Sequence, residues 1–236
     1  MLRFVTYNIR KGKGASGRSM TAFEELTEAL RSREPDVVLV QEVFHPSDDE
    51  AAHQSKSLAT KLGMTSFYEP NKHRRIGHHG NATVTKHTIV DSQNYDISTN
   101  RFERRGALYC HLDVDGKPLH VLNVHLGLNQ RQRVAQIGML REIMNARVPE
   151  DAAFVLAGDF NDWNRYLDPL IQRDLRVENS LGPDAPLART WPAKRPVFCL
   201  DRVYVRNLST HRTTRLTGDP WTVLSDHLPL WAELEI

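Results

Sequence analysis

The apolar positions of this chain fall into short runs, and each run ends in polar or ionisable side chains. In Ala152-Ala153-Phe154-Val155-Leu156-Ala157 nothing polar intervenes before Gly158-Asp159-Phe160-Asn161, the profile of a buried strand delivering polar groups to a sheet edge. If the extended conformation persists through the motif, Asp159 and Asn161 emerge on one face while Phe160 turns into the packing. An Asx-rich turn closing a core strand accounts for the same residues equally well. The event recurs at Thr6-Tyr7-Asn8, Val40-Gln41-Glu42, Gly80-Asn81-Ala82, Asn123-Val124-His125, Leu200-Asp201-Arg202 and Ser225-Asp226-His227.

Between these ends the periodicity predicts strands alternating with helices. Leu2 to Ile9 reads as the first strand, and Arg10 to Arg18 as a glycine-rich cationic loop beside the mouth of a site. Thr21-x-x-Glu24 has capping-box form, with Phe23, Leu26 and Leu30 on one helical face. Val37 to Glu42 is a short buried strand, Ala51 to Leu62 a helix stopped by Gly63, and Thr65 to Glu69 a strand. Asn71 to His79 carries Lys72, His73, Arg74, Arg75, His78 and His79 with no acid among them, and reads as a solvated loop flanking Asn81.

Strand pieces follow at Ala82 to His87 and Ile89 to Tyr95. Gly106 to Val114 and Leu119 to His125 flank Asp115-Gly116 as a hairpin. Asn129-x-x-Gln132 caps a helix reaching about Asn145, with Val134, Ile137, Leu140, Arg141 and Met144 on one side. A helical piece from Tyr166 to Arg173 precedes a proline- and glycine-rich loop from Ser180 to Pro196, and strands at Phe198 to Val205 and Pro229 to Ile236 close the chain. A tight hairpin inside an alternating pattern requires mixed rather than purely parallel sheets.

At 236 residues, with no linker, repeat or low-complexity tract, residues 1–236 read as a single α/β domain with a sizeable core. The longest apolar runs are of strand length, so no membrane span is expected; Met1 leads directly into a strand without a signal-peptide pattern, which points to a cytoplasmic protein. Cys110 and Cys199 each sit in apolar stretches, too few for a disulfide framework or a zinc site. A net charge of +2 does not announce a nucleic-acid binder, although a polyanion needs only a local basic face.

The strand ends, in their order, resemble those of the endonuclease/exonuclease/phosphatase (DNase I-like) superfamily, from Asn8 to His227. His78-His79-Gly80-Asn81-Ala82, Arg104-Arg105-Gly106 and Val124-His125-Leu126-Gly127-Leu128 look like a small single-domain bacterial branch. The resemblance implies a four-layer sandwich, two mixed β-sheets packed face to face with helices outside. It also implies a hydrolase acting on phosphate esters, with nuclease activity slightly ahead of a phosphatase or phosphodiesterase acting on a small molecule or phospholipid head group.

Hydrolysis of a phosphate ester needs neutralised phosphoryl oxygens, an oriented water and help for the leaving oxygen. Asn8, Glu42 and Asp226 suit Mg²⁺ or Mn²⁺, because hard cations prefer carboxylate and amide oxygens, and similar proteins use the equivalent of Glu42 as their central ligand. By the same resemblance Asp201 and His227 form an acid and histidine pair, Asp159 orients or deprotonates the water, and Asn161 and His125 donate to the phosphate. Asn81, Arg105 and Thr190, the last in a Thr190-Trp191-Pro192 turn similar to a pocket-lining turn of the family, are the candidate substrate-binding residues. The bland alternatives are a structural ion pair for Asp201-Arg202 and a helix or turn cap for His227.

Two departures count against abasic-site repair: Arg10 replaces the acid that many repair nucleases carry two places after the first asparagine, and Val43 follows the metal glutamate where they have threonine. A zinc enzyme lacks the paired spacing it needs, and a calcineurin-like phosphatase would place Gly-Asp ahead of Gly-Asn-His. A non-catalytic phosphate-binding module on the same fold is the reading of a different class, and it would have lost metal or base residues that are all present here.

Overall fold

The computed structural model describes residues 1–18, 22–47, 49–182 and 185–236. Two six-stranded sheets form the middle of the molecule. One has the order β11-β12-β1-β2-β4-β3, the other β5-β6-β7-β8-β10-β9. In the first sheet the strands are β1 (Leu2–Asn8), β2 (Val37–Pro46), β3 (Thr65–Arg74), β4 (Gly77–Thr85), β11 (Ser209–Arg215) and β12 (Leu230–Glu235). In the second they are β5 (Thr88–Asp96), β6 (Gly106–Val114), β7 (Lys117–His125), β8 (Ala153–Asp159), β9 (Glu178–Asn179) and β10 (Asp201–Arg206). Each sheet has one parallel pair at its centre, β1 with β2 and β7 with β8, and antiparallel neighbours on either side.

Each parallel pair needs a crossover, and an amphipathic helix supplies it. Helix α1 (Ala22–Arg31) joins β1 to β2, and α3 (Gln130–Arg147) lies between β7 and β8. With α2 (Gln54–Leu62) and α5 (Trp221–Leu224), α1 covers the outer face of the first sheet, where Leu26, Leu30, Leu58 and Trp221 meet Val5, Tyr7, Val38 and Val40. With α4 (Leu167–Leu175), α3 covers the second sheet, where Ile137, Leu140, Leu167 and Ile171 meet Leu122, Val124, Phe154 and Leu156. The facing sides of the sheets bury Phe4, Leu39, Val121, Val155, Val203 and Ala232 against one another. The result is the four-layer sandwich of two mixed sheets between helices.

Helix α3 has the predicted capping box, with the Asn129 side chain accepting from the Arg131 amide 2.9 Å away and Gln132 reaching back to the Asn129 amide. Its buried face is Arg133, Gln136, Ile137, Leu140, Ile143 and Met144; Val134, expected on that face, is exposed. The hairpin at Asp115-Gly116 forms as expected, both residues having positive φ, as a two-residue turn of primed type requires. Thr21, the expected cap of α1, lies outside the described residues.

Several elements differ from the sequence reading, β2 among them, since it runs on to Pro46 instead of ending at Glu42. Residues 71–79 are not a loop: β3 continues to Arg74 and pairs with β4 from Gly77, so Lys72, His73 and Arg74 sit opposite His79, His78 and Gly77. The ladder shifts between Pro70 and Lys72, where proline has no amide to give, and resumes beyond it. Helix α2 starts at Gln54 rather than Ala51, after a short turn, with His53 in extended conformation as its cap. The last strand of the second sheet starts at Asp201 rather than Phe198, because Phe198 bridges to Trp191 instead. Edge strand β11, Ser209-Thr210-His211-Arg212-Thr213-Thr214-Arg215, has no apolar period to announce it and is held by pairing with β12.

Candidate active site

Alternation along the central strands grades the space between the sheets from apolar to polar. The inward rows run Leu2-Phe4-Thr6-Asn8 on β1, Val37-Leu39-Gln41 on β2, Leu119-Val121-Asn123-His125 on β7, and Ala153-Val155-Ala157-Asp159 on β8. On β10 the row runs in reverse, from Val205 and Val203 to Asp201. One end of the interlayer is therefore hydrocarbon, and the other collects amides, acids and imidazoles from both sheets. Gly158 allows β8 to run close beside β7, since a Cβ there would lie 1.9 Å from the Val124 carbonyl oxygen.

Below the polar end a buried amide network joins the sheets. The Gln41 side chain donates to Asn123 Oδ1 (2.8 Å) and Thr6 Oγ1 (3.1 Å), and Asn123 Nδ2 donates to the carbonyls of Ala82 (2.9 Å) and Val40 (3.2 Å). Those carbonyls flank the point where the β2–β4 ladder shifts register, between Val40 and Val43, so Asn123 supplies hydrogen bonds at a break in the sheet. Within that bulge Glu42 has φ 55°, a left-handed conformation unusual for glutamate, and its carboxylate is re-aimed from the strand's regular alternation to the mouth.

At the polar end Asp159 is the hub. Its Oδ2 accepts from Asn8 Nδ2 at 2.9 Å and lies 3.4 Å from His125 Nε2 and 3.7 Å from His227 Nε2. Its Oδ1 accepts from the Asn161 amide at 2.9 Å, with Asn161 at φ 49°. The segment is thus an Asx turn, and the extended conformation does not persist to Asn161; the turn nevertheless leaves Asp159 and Asn161 at the polar end. Asn161 Nδ2 donates to the Leu126 carbonyl (2.9 Å), and Phe160 is fully buried.

Across from it, His227 Nδ1 is 2.8 Å from Asp201 Oδ2, both residues being buried. Burial alone would strip the proton from this imidazole; Asp201 and Asp159 outweigh it and push His227 up to about 10. His125 goes the other way, driven well below the ordinary histidine range by burial and by the charge of Arg105, against which Glu42 pulls only in part. Burial raises Asp159 to about 6, the positive charge of His227 holding it from going further. Two imidazoles and a carboxylate in one pocket therefore hold different protonation states near neutral pH, a pattern found where proton transfer is done. Asp201 faces this pocket, and Arg202 pairs instead with Asp162 on the other side of β10, at 2.7 Å and fully buried, so Asp201-Arg202 is not an ion pair.

The expected metal ligands lie at the same end. Asn8 Oδ1 accepts from the Arg10 amide at 3.1 Å, Glu42 is ion-paired with Lys11, and Asp226 Oδ2 is 3.4 Å from Arg10 Nε. Burial opposes the charge on Glu42, but His125, Lys11 and His227 prevail and bring it down to about 2. An amide oxygen and two carboxylates, the latter each already facing a cationic side chain, fit a hard divalent cation. Among the described residues, Asp159, Asp201 and His227 form a second candidate set, with ligand atoms all within 4.8 Å of one another.

Three predicted substrate-binding residues are placed differently from one another. Asn81 spends its amide hydrogens on the carbonyls of Gly106 and Asn123, both at 3.2 Å, and is buried in the interlayer. Thr190 is fully buried: its Oγ1 accepts from the Asp201 amide (3.2 Å) and its carbonyl from the Leu228 amide (2.9 Å), which ties the two ends of the Asp201–His227 pair together. Arg105 is held by Glu103 at 2.8 Å and acts electrostatically on His125. Sequence reasoning passed over Asn123 as a bridge, Lys11 and Arg10 as partners of the acids, and Asp162, which besides Arg202 accepts from the amides of Tyr166 and Leu167 at the start of α4. Only the positions of these residues beside motif residues hinted at them.

A sandwich of this topology with polar strand ends gathered at one edge defines a DNase I-like phosphoesterase fold. The family model described as the endonuclease/exonuclease/phosphatase family matches residues 5–227, and the chain belongs to that family. It is 36% identical over 246 residues to the uncharacterized protein YbhP of Escherichia coli K12, covering 99% of this chain and 96% of the relative. Among solved structures it resembles the mannosyl-6-phosphatase Bt3783 of Bacteroides thetaiotaomicron (TM-score 0.79, 18% identity, 100% of both chains). It also resembles D. rerio TDP2 complexed with single strand DNA product (TM-score 0.73, 17% identity, 100% of this chain and 99% of the other). No helix among the described residues is long and apolar enough to cross a membrane.

Proposed function

We propose that this protein is a Mg²⁺- or Mn²⁺-dependent phosphodiesterase whose favoured substrate is a nucleic acid. The observation that carries the reading is the Asp159 carboxylate, turned to Asn8, His125 and His227 within 3.7 Å, in a buried pocket that opens on a cationic rim. Asn8, Glu42 and Asp226 would hold the cation, which when bound supplies charge neutralisation at the phosphoryl oxygens and acidifies water. Asp159, raised toward neutrality, would orient the attacking water and take its proton. His227, kept protonated by Asp201, donates to a phosphoryl or leaving oxygen, while the neutral His125 and the Asn161 amide fix the phosphate's orientation.

What favours a polymer over a small ester is the ground beyond the pocket. A groove-like cavity of about 570 Å³ lined by Arg10, Lys11, Lys13, Gly17, Phe44, Ile76 and His79 adjoins Glu42 through its partner Lys11, and its cations suit phosphates other than the one that reacts. The test is a screen with Mg²⁺, Mn²⁺ or chelator, covering single- and double-stranded DNA, RNA, a sugar phosphate, a phospholipid head group and matched chromogenic phosphate mono- and diesters. Metal-dependent cleavage of the diester and of a nucleic acid is expected. Turnover confined to monoesters would make it a phosphatase, and no turnover with any metal would leave a binding module.

A further inference from the structure

Lys11 is the side chain that links the acid at the mouth to the groove. It and Arg10 belong to one short helical turn, Arg10–Gly12, whose first two residues have left-handed φ of 47° and 59°. The backbone of that turn is clamped. Gly12 donates to the Ile9 carbonyl (2.8 Å), the Lys11 carbonyl accepts from Gln54 Nε2 (2.9 Å), and Gln54 Oε1 in turn accepts from the Phe44 amide (2.8 Å). A Cβ at Gly12 would lie 2.6 Å from Gln54 Nε2 and 2.8 Å from Phe23 Cβ, so the turn cannot slide. The ammonium, at the end of four rotatable bonds, rests on Glu42, the two side chains being about a quarter exposed (28% and 24%), and borders the groove that also contains Lys13 and His79.

We propose that Lys11 is the resident counter-ion of Glu42, displaced by the divalent cation and handed to the substrate's phosphate in the adjoining groove; this rests on the metal reading given above. A cation arriving at Glu42 must compete with an ammonium already there. Once it wins, like charge repels Lys11, whose fixed backbone leaves the groove as the place its head can swing to. Metal and phosphate then favour each other through one side chain, and by linkage the coupling is reciprocal. Bound phosphate draws Lys11 from Glu42 and so raises metal affinity, beyond any direct contact between the two ions.

The experiment measures Mn²⁺ affinity by titration calorimetry and by the spin resonance of free Mn²⁺, with and without inorganic phosphate, for the native chain and for Lys11→Met, Lys13→Met and Glu42→Gln. Without phosphate, Lys11→Met is expected to bind Mn²⁺ tighter, by roughly fivefold for loss of one partly exposed ion pair. Phosphate should bind Mn²⁺-loaded Lys11→Met more weakly than the native chain, and its enhancement of Mn²⁺ affinity should shrink. A residue that only supports the fold would weaken both. Lys13→Met should leave Mn²⁺ affinity alone. Unchanged or weaker Mn²⁺ binding in Lys11→Met overturns the handover, while Mn²⁺ binding that survives Glu42→Gln overturns the metal reading beneath it as well. If Lys11→Met does not fold, Lys11→Gln carries the same comparison.

Discussion

His227 Nδ1 lies 2.8 Å from Asp201 Oδ2 with both side chains buried, which joins the last motif of the chain to a strand of the other sheet. The proton between them belongs to the pair, so each residue alone is incomplete. Asp201→Asn and His227→Ala should each lower kcat/KM by on the order of 10²–10³. The double variant should be little worse than either single one. Multiplicative losses in that cycle would show that the two act separately.

The basic groove separates long from short substrates. Lys13 lines that groove and Arg75 is the chain neighbour of Ile76, which lines it too, so replacing both cations with alanine should weaken nucleic-acid binding and flatten its salt dependence, by roughly 0.7 in log–log slope per lost contact with a single strand. Hydrolysis of a small chromogenic diester should hardly change. Equal losses on both substrates would mean that these residues build the pocket itself. The side chain of Arg74, beside Arg75 at the turn from β3 to β4, lies outside the described residues.

Asn123 should prove structural. Replacing it with leucine takes the side-chain donor from the Val40 and Ala82 carbonyls and leaves the Gln41 amide only Thr6 and the Leu39 carbonyl to donate to in a closed interlayer, at a cost of about 3 kcal/mol in urea unfolding. Adding Gln41→Leu should recover only part of this, since the two carbonyls still lack that donor. Full recovery would mean that the carbonyls find other donors.

A histidine stack outside the site sets an acid limit on stability. His45 lies against His53 (4.1 Å between ring centres) and Tyr68 (3.7 Å), and its Nε2 is 2.9 Å from Ser55 Oγ, with His78 and Lys56 facing the same ring. Burial, with those neighbouring positive groups, takes His45 down to about 3 from the ordinary 6.5. The unfolded chain therefore binds the proton first: the contribution of neutral His45 is complete above pH 6.5 and drains away as pH falls toward 3. Melting temperature should drop between pH 7 and pH 5, and His45→Phe, which keeps a ring in the stack, should show a shallower drop. A slope identical to that of the native chain would remove His45 from the cause.

Much of this molecule follows from local pattern. The strands β1, β7 and β8 are legible because both of their faces are buried, so each reads as a largely apolar run whose polar end stands out against hydrocarbon. The capping box of α3 and the turn at Asp115-Gly116 follow from residues a few places apart, whereas Asp159, Asn161, Asp201 and His227 are singled out by the resemblance to the family.

What only the tertiary structure decided is which polar ends meet and what occupies their hydrogen-bonding capacity. Asn81 and Asn8 both border apolar runs in sequence, yet Asn81 lies within β4 and is consumed by two carbonyls of the opposite sheet, while Asn8 ends β1 and reaches Asp159. Thr190 turns inward to hold Asp201, and Glu42 gains its direction from a bulge that depends on where β4 pairs. The basic stretch before Asn81 became a hairpin because edge pairing with β4 satisfies its backbone whatever its side chains are. Short-range periodicity fixes which face a residue takes within its own strand; the partner across a sheet or between sheets is set by contacts far apart in the chain, as with Asn8 and Asp159 at a separation of 151 residues.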